Sequence, residues 1–152
     1  MNLDIQEYKK DWFEFAGYKP HRGQEMLHSA PENKRFIVAC CGRRFGKSYA
    51  SAREAEVVLT QPGKIVWIKI FRQVYENLVM KLGYKPSQYS SKEQILKFAW
   101  DGGTSMLCGK SAEHPSGLIG EGCDLVIVDE ASKVPNFKRI WEMYVRPTLS
   151  DK

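Results

Sequence analysis

The chain has 152 residues, of which 43% are hydrophobic and 27% are charged, with 23 Lys and Arg against 18 Asp and Glu. This length and composition predict one globular domain with its own hydrophobic core and exclude an intrinsically disordered chain. No apolar run approaches the ~18 residues of a membrane span, and the N-terminus lacks the apolar stretch of a signal peptide. The four cysteines form no C-x-x-C pair, so we expect neither a structural zinc nor a disulfide framework, as suits a reducing cytoplasm.

The N-terminal half begins with two predicted helices. Apolar residues at near-helical spacing predict a first helix over 3–15 and a second, shorter helix over 21–29. The apolar run 36–40 predicts a buried strand. A helix rich in alanine and valine is predicted over 47–60, so that a strand, a glycine-containing loop and a helix follow one another.

The C-terminal half continues this alternation. An apolar strand is predicted over 64–71, and a helix follows it over 72–82. The remaining predicted elements are a β-hairpin with strands over 94–100 and 104–108, a strand over 125–128, and a helix around 136–145 that ends at Pro147. Strands that alternate with helices indicate an α/β fold with a mainly parallel sheet.

Positive charge is concentrated in the middle of the chain. Residues 60–110 hold eight Lys and Arg against three Asp and Glu, an excess as large as the net charge of +5 of the whole chain. A local basic excess can meet the phosphates of a nucleotide or of a nucleic acid. It can equally be a solvated lysine-rich surface, and composition alone does not separate these two interpretations.

The most informative segment is the loop Cys41-Gly42-Arg43-Arg44-Phe45-Gly46-Lys47-Ser48. It follows the phosphate-binding pattern G-x-x-x-x-G-K-[ST], except that Cys41 replaces the first glycine and Gly42 comes one position later. Backbone N–H groups of such a loop wrap phosphates at a helix N-terminus, while Lys47 meets the β/γ charge and the Ser48 hydroxyl ligates Mg²⁺. The position of the loop between a predicted strand and a predicted helix argues against a chance match, so we predict nucleotide binding.

An acidic pair follows the strand predicted over 125–128. Asp129 stands at the C-terminal tip of that strand, where a parallel sheet would bring it beside the phosphate loop to hold Mg²⁺ through water. Glu130 would then polarise the attacking water. An acidic pair after a buried strand can also cap the next helix. The phosphate loop upstream favours the catalytic interpretation.

Three segments together resemble the ATPase domain of the large terminase subunit of tailed bacteriophages, the motor that packages double-stranded DNA into procapsids. They are G-R-R-F-G-K-S, L-V-I-V-D-E-A and W-E-M-Y-V-R-P-T-L-S-D, and the resemblance runs from about Pro20 to Asp151. It implies a P-loop NTPase fold of the RecA/ASCE-like kind, with a mainly parallel central sheet, flanking helices and an inserted β-hairpin. It also implies ATP and Mg²⁺ as cofactors and hydrolysis of ATP.

The resemblance implies a role for each matching residue. Lys47 is the phosphate-binding lysine, and Arg43 matches the loop arginine that terminases use near the γ-phosphate. Ser48 and Asp129 are the implied magnesium ligands, and Glu130 is the implied catalytic glutamate. The other loop positions that would hold the nucleotide are Cys41, Gly42, Arg44, Phe45 and Gly46.

Upstream of the loop, Gln24 resembles the glutamine that reads the adenine edge in terminases. It lies in the segment Pro20-His21-Arg22-Gly23-Gln24. A side-chain amide offers a donor and an acceptor to that edge, which would favour ATP over GTP. A glutamine in a short helix is also commonly a surface residue, so that alternative stays open.

The chain departs from the family pattern in two places. Some terminases carry an arginine finger shortly before the acidic strand, but this chain has Ile119 there, so a finger supplied within a ring would come from Arg139 or Arg146. Arg146 can equally be a cation that answers the dipole of a helix end. Large terminase subunits also continue into a coupling motif and a nuclease domain. We therefore expect residues 1–152 to be an ATPase domain truncated at its C-terminus, without the nuclease.

The resemblance also implies partners. They are double-stranded DNA, further copies of the chain in a ring, the small terminase subunit and the portal protein, in the cytoplasm of the phage's host and without a membrane. Two other functions stay open: a helicase-like DNA translocase, and a low-turnover nucleotide-binding module that controls assembly. A helicase needs a second RecA-like domain, which this length excludes, and Glu130 argues against a module that does not hydrolyse ATP.

Overall fold

The computed structural model describes residues 4–29, 34–110 and 122–150. The α-helices are α1 (Ile5–Phe15), α2 (Arg22–His28), α3 (Lys47–Leu59), α4 (Phe71–Tyr75), α5 (Phe137–Ile140) and α6 (Arg146–Ser150). A π-helical stretch, Glu76–Lys81, extends α4, and a second one, Trp141–Val145, joins α5 to α6. The strands are β1 (Ile65–Ile68), β2 (Gln88–Ser90), β3 (Ile95–Trp100), β4 (Gly103–Gly109) and β5 (Leu125–Ile127). Across these described ranges, no helix combines the length and the apolar character needed to cross a bilayer.

The five strands form one mixed sheet in the order β2-β3-β4-β1-β5. β1 is parallel to both β4 and β5, whereas β3 is antiparallel to β4 and to β2. Asp124 helps to set the register of β5, because its carboxylate accepts hydrogen bonds from the backbone N–H of Ile65 (2.8 Å) and from Lys64 Nζ (3.2 Å). The carboxyl ends of β4, β1 and β5 therefore lie at the same edge of the sheet, where α/β proteins bind ligands.

Alternate residues of β1 pack on opposite faces of the sheet. Val66 and Ile68 belong to a large core that also contains buried side chains of α1, α3 and α4. Trp67 lies in a smaller core with Ile140 and Val145 of the C-terminal helical segment. The sheet is thus covered on both faces, which confirms the predicted α/β architecture with flanking helices.

Most predicted elements are present close to their predicted bounds. The first three helices and the β-hairpin are confirmed, and the second strand of the hairpin, β4, is an internal strand paired with β1. The strand predicted over 64–71 is shorter, because β1 ends at Ile68 and Phe71 already begins α4. The short strand β2 was not predicted.

The prediction of a buried strand over 36–40 is wrong for the structure described. These residues have no regular secondary structure, and the side chains of Phe36, Ile37 and Val38 are 50%, 53% and 86% exposed. An apolar run becomes an inner strand only when neighbours bond its backbone and cover both faces. Here the ring of Phe36 packs edge-on against Trp141 at 5.1 Å, and the described sheet ends at β5.

The helix predicted to stop at Pro147 instead continues through it. Pro147 is the second residue of α6, directly after the π-helical stretch Trp141–Val145. Proline lacks an N–H donor and its ring clashes with the carbonyl one α-turn earlier, but it is tolerated in the first turn of a helix. The wider π-helical turn in front of Pro147 provides such a start.

A buried ion pair lies within α3. The side chains of Arg53 and Glu56 are 1% and 0% exposed, and their nearest charged atoms are 2.8 Å apart. Asn77 Nδ2 donates a hydrogen bond to the other carboxylate oxygen at 3.0 Å. Burial raises the pKa of Glu56 to about 7, and the guanidinium of Arg53 opposes this shift. The folded protein therefore holds a proton on Glu56 at pH values where the unfolded chain has lost it.

We expect this group to make the protein less stable as the pH rises from the ordinary glutamate value of 4.5 to about 7. The folded state binds more protons than the unfolded state in that interval, so the free energy of unfolding falls with pH, by up to about 3 kcal/mol for one such group. Glu56→Gln, which mimics the protonated form, should flatten this slope. Urea unfolding across the interval tests it, with the exposed Glu93→Gln as control; equal slopes in parent and Glu56→Gln would contradict the prediction.

Candidate phosphate-binding and hydrolysis site

The predicted phosphate loop leads directly into the N-terminus of α3. Gly46 is the N-cap of this 13-residue helix and has φ +84°, a left-handed conformation that favours glycine. A Cβ atom on Gly46 would lie only 2.6 Å from Nε2 of Gln24. The first N–H groups of α3 have no partner within the helix, and its dipole is positive at this end. The loop therefore has the backbone that an anion site requires.

Lys47 folds back over the loop. Its Nζ donates hydrogen bonds to the carbonyl oxygens of Cys41 (3.0 Å) and Gly42 (3.1 Å). These contacts hold the ammonium group within the loop. The carbonyl oxygens are weak acceptors for an ammonium ion compared with charged phosphate oxygens.

Ser48 and Asp129 meet although they are 81 residues apart in the sequence. Ser48 Oγ donates a hydrogen bond to Asp129 Oδ2 at 2.6 Å. Ser48 lies in the first turn of α3, and Asp129 follows β5, so the contact joins the phosphate loop to the acidic motif. The structure thus brings the two predicted magnesium ligands together, and their role in binding the metal stays a prediction.

The chemistry of this pair fits Mg²⁺. Within residues 4–29, 34–110 and 122–150 there is no group of three or more His, Cys, Asp or Glu that could hold a metal by itself. A site with one carboxylate and one hydroxyl is nevertheless what Mg²⁺ uses when waters and substrate phosphates complete its shell. The two side chains therefore fit a magnesium site of this kind, and a metal at this place stays a prediction.

Glu130 has an unusual backbone and a partner that the sequence did not indicate. Its φ of 54° and ψ of 41° are left-handed, which is costly for a residue with a side chain and is concentrated at functional sites. Its carboxylate forms an ion pair with Lys133 Nζ at 2.8 Å, and both side chains are largely exposed. Lys133 stands three residues after Glu130 in a short 3₁₀ turn, and this spacing is the one signal by which it could have been found.

The two arginines of the loop are exposed. Neither Arg43 nor Arg44 has a hydrogen bond or an ion pair with the described part of the chain. Phe45 is half-buried, and its ring packs edge-on against His21, with the ring centres 4.9 Å apart. The loop therefore presents two cations outwards and anchors one aromatic ring on α2.

Gln24 is buried against the loop, with 6% of its surface exposed, and so is not a surface residue. Its Oε1 accepts a hydrogen bond from the backbone N–H of His21 (3.1 Å), and its Nε2 donates one to the carbonyl of Gly46 (3.3 Å). A glutamine amide has two protons and two lone pairs, so one of each remains for a ligand. His21, which touches the loop as well, was not predicted; its place three residues before Gln24 in a capping box is the signal that could have found it.

The positions considered for an arginine finger lie outside the loop and the acidic pair. Ile119 lies outside the described residues. Arg139, in α5, is exposed and its Nε lies 3.3 Å from Met143 Sδ. Arg146 is exposed and begins α6. Both arginines therefore stand on the helical segment after the acidic motif.

Part of the basic excess of residues 60–110 is neutralised within the fold. Lys64 pairs with Asp124 at 3.2 Å, and the exposed Arg72 pairs with Glu76 at 2.7 Å. The exposed lysines of the segment include Lys69, Lys81, Lys85 and Lys92. Lys81 ends the first π-helical stretch and the other three lie in loops and turns, so these cations are spread along the segment.

Known proteins resemble the part of the chain that contains this site. The family model "Terminase large subunit, T4likevirus-type, N-terminal" matches residues 38–145, which include the loop and the acidic motif. The large terminase subunits of Thermus virus P23-45 and Thermus phage G20c are each 33% identical over 163 residues, an alignment that covers 91% of this chain and 33% of the relative. The chain thus spans about a third of the length of these curated relatives.

A solved structure gives the same result for the fold. The large terminase ATPase domain of Thermus phage P74-26 superimposes with a TM-score of 0.78 at 32% identity, covering 93% of this chain and 64% of that domain. The structure of a mutant of that domain gives a TM-score of 0.74 at the same identity. The sequence comparisons and the structural comparison therefore find the same group of proteins, the large terminase subunits.

Proposed function

We propose, because this chain belongs to the terminase large-subunit family, that it binds and hydrolyses Mg-ATP and that this hydrolysis drives double-stranded DNA into phage procapsids. The observation that carries the proposal is the 2.6 Å contact between Ser48 and Asp129. In P-loop ATPases a loop hydroxyl and an aspartate after an apolar strand hold the Mg²⁺ that accompanies the nucleotide, and Ser48 and Asp129 would hold it here.

In the proposed site the loop supplies the phosphate contacts. Lys47 exchanges the carbonyl oxygens of Cys41 and Gly42 for phosphate oxygens, which are stronger acceptors because they are charged. Arg43 is exposed at the loop and supplies a cation for the γ-phosphate. The backbone of Arg44, Phe45 and Gly46 completes the cradle. Bound Mg²⁺ supplies charge neutralisation between the phosphates.

Glu130 is the proposed base. It directly follows Asp129, one of the two proposed magnesium ligands, and its exposed carboxylate is accessible to water. To orient a water molecule it exchanges the ion pair with Lys133 for a contact with that water. An exposed ion pair is worth at most about 1 kcal/mol, so this exchange is inexpensive.

Gln24 is proposed to read the adenine edge with the proton and the lone pair that its contacts to His21 and Gly46 leave unused. One side chain would then touch both the base and the phosphate loop. This arrangement favours ATP over GTP, because the guanine edge presents its donors and acceptors in a different order.

The proposed partners follow from the family. They are double-stranded DNA, other copies of the chain in a ring, the small terminase subunit and the portal protein, in the host cytoplasm. The dispersed lysines of residues 60–110 are the proposed DNA contacts, and Arg139 or Arg146 of a neighbouring copy is the proposed finger. A helicase-like translocase and an assembly module that does not hydrolyse ATP are the competing functions.

Steady-state ATP hydrolysis, measured with and without double-stranded DNA at increasing protein concentration, tests the proposal. We expect Mg-dependent turnover that rises with concentration, since a finger in trans is typically worth 10³–10⁵ in kcat. Salt should weaken DNA binding, with a log–log slope of roughly −0.9 per phosphate contact. Separation of DNA strands would indicate the helicase, and ATP binding without turnover at every concentration would indicate the module.

Removing either proposed magnesium ligand should raise the Mg²⁺ concentration that ATP binding requires. We expect Ser48→Ala and Asp129→Asn each to raise it by roughly 10-fold or more, since the loss of a group that only supports a metal ligand already costs about 10- to 100-fold. Titration of Mg²⁺ at fixed ATP, followed by calorimetry, measures the change. Ser51→Ala, one turn further along α3, is the matched control and should behave as the parent. An unchanged Mg²⁺ requirement in both variants would remove the two residues from the metal site.

A further inference from the structure

The ring of His21 makes two different contacts at once. As the N-cap of α2, it accepts hydrogen bonds at Nδ1 from the backbone N–H groups of Gly23 (3.1 Å) and Gln24 (3.4 Å). Its other nitrogen, Nε2, lies 2.9 Å from the carbonyl oxygen of Phe45 in the phosphate loop. The ring therefore bridges the start of α2 and the loop, 24 residues apart.

These contacts determine where the proton of the ring is. A nitrogen that accepts from N–H groups carries no proton of its own, so Nδ1 is unprotonated. The proton of the neutral imidazole is then on Nε2, and Nε2 donates to the Phe45 carbonyl. A single tautomer of His21, protonated at Nε2, therefore both caps α2 and holds the loop.

The attached segment is the turn just before Lys47, and it is tightly fitted. The rings of His21 and Phe45 meet edge to face at 89°, and a Cβ atom on Gly23 would lie 2.7 Å from the Phe45 ring. Arg44 and Gly46, on either side of Phe45, have φ of +62° and +84°. A non-glycine residue in that region is strained and needs support from its surroundings.

The hydrogen bonds from α2 to the carbonyl groups of Phe45 and Gly46 also set the direction of the N–H groups that follow them in the loop. In a trans peptide the C=O and the N–H of one unit point in opposite directions. When His21 holds the C=O of Phe45 towards α2, the N–H of Gly46 points away from α2. The C=O of Gly46 accepts hydrogen bonds from the backbone N–H of Ala50 at 2.9 Å and from Gln24 at 3.3 Å, and these two contacts together fix the direction of the Lys47 N–H. Successive N–H groups that point the same way form an anion-binding nest.

We propose that His21 is a positioning residue for phosphate binding: its Nε2–H holds the Phe45 carbonyl so that the following N–H groups face the nucleotide. The proposal rests on the nucleotide binding proposed above. His21 itself does not touch the phosphates, so its effect is on the affinity for nucleotide through the shape of the loop.

Two substitutions separate the two contacts of the ring. His21→Asn places an oxygen near the position of Nδ1, so it keeps the cap, since Asn is a good N-cap residue, but it cannot reach Phe45. His21→Gln places an amide donor near the position of Nε2, so it keeps the loop contact and weakens the cap. The exposed Arg22→Gln, next along α2, is the control.

We expect His21→Asn to weaken Mg-ATP binding roughly three- to ten-fold, the worth of one hydrogen bond, with little change in Tm. His21→Gln should bind Mg-ATP as the parent does and lose thermal stability. Calorimetry and thermal unfolding measure both quantities. A merely structural His21 would give the opposite pattern, in which affinity follows Tm in every variant, and that result would overturn the proposal.

A second readout needs no nucleotide. In ¹⁵N–¹H spectra of the nucleotide-free protein, both His21 variants lose the ring that packs on Phe45, and only His21→Asn also loses the donor to the Phe45 carbonyl. We therefore expect the amide resonances of Gly46 and Lys47 to shift further in His21→Asn than in His21→Gln and to stay in place in Arg22→Gln. Equal shifts in His21→Asn and His21→Gln would overturn the proposal even if the protein binds ATP. If the parent fails to bind Mg-ATP, the proposed function fails, and the shifts still decide whether His21 orients the loop.

Discussion

Replacing Lys47 by alanine is expected to abolish Mg-ATP binding while the fold remains intact. Its Nζ donates hydrogen bonds to the carbonyls of Cys41 and Gly42. Lys47 is the one lysine in the loop sequence 41–48. Each hydrogen bond from a charged group to phosphate is worth about 1.5–3 kcal/mol, so the loss of two predicts an affinity lower by roughly 100-fold or more. The hydrogen bonds that Lys47 makes in the folded protein go only to two backbone carbonyls of the loop itself, so we expect their removal to have little effect on the stability of the fold.

The measurement is calorimetric titration with Mg-ATP, accompanied by thermal unfolding. Lys85→Ala removes an exposed lysine outside the loop and should leave both the affinity and Tm unchanged. If Lys47→Ala bound Mg-ATP as tightly as the parent, the loop would not be the phosphate site. A large fall in Tm would instead mean that the lysine supports the fold.

Elements with local signals could be predicted from the sequence. α1 begins where the Asp4 side chain accepts from the Gln6 N–H at 3.0 Å, and the β-hairpin turns at Gly102 and Gly103, which both have positive φ. Capping and turn residues act over a few positions, so they can be read without knowing the rest of the fold. The contact of Ser48 with Asp129 was expected from two neighbouring parallel strands, but the segment before the loop is not a strand of the described sheet. The contact forms instead between the first turn of α3 and the residues that follow β5.

Other features depend on partners far away in the sequence. The run 36–40 has the composition of a buried strand, but no strand of the described sheet pairs with it. The capping-box spacing before Gln24 marks His21 in the sequence, but it does not indicate the contact with the Phe45 carbonyl, 24 residues later. Pro147 ends a regular α-helix in isolation, whereas the π-helical stretch before it allows α6 to begin there. Each of these three features depends on contacts with other parts of the fold, and the local sequence does not reveal those contacts.

Glu130→Gln is expected to bind Mg-ATP normally and to hydrolyse it more slowly by roughly 10²–10⁴, the contribution of a positioned general base. Glutamine keeps the shape of glutamate, yet it cannot accept a proton from water. Its amide also cannot form the ion pair with Lys133. A loss of activity could therefore come from either change, and the two must be separated.

Lys133→Met separates them, because it removes the ion pair and leaves the carboxylate of Glu130 in place. With Glu130 as the base, Lys133→Met retains hydrolysis near the parent rate, and Glu130→Gln alone is slow. Single-turnover hydrolysis with protein in excess over ATP isolates the chemical step from product release, and Glu142→Gln, an exposed glutamate in the π-helical stretch, is the control. Comparable single-turnover rates for Glu130→Gln and the parent would assign the base to another residue. Equal losses in Glu130→Gln and Lys133→Met would show that the ion pair, and not proton transfer to the carboxylate, sustains activity.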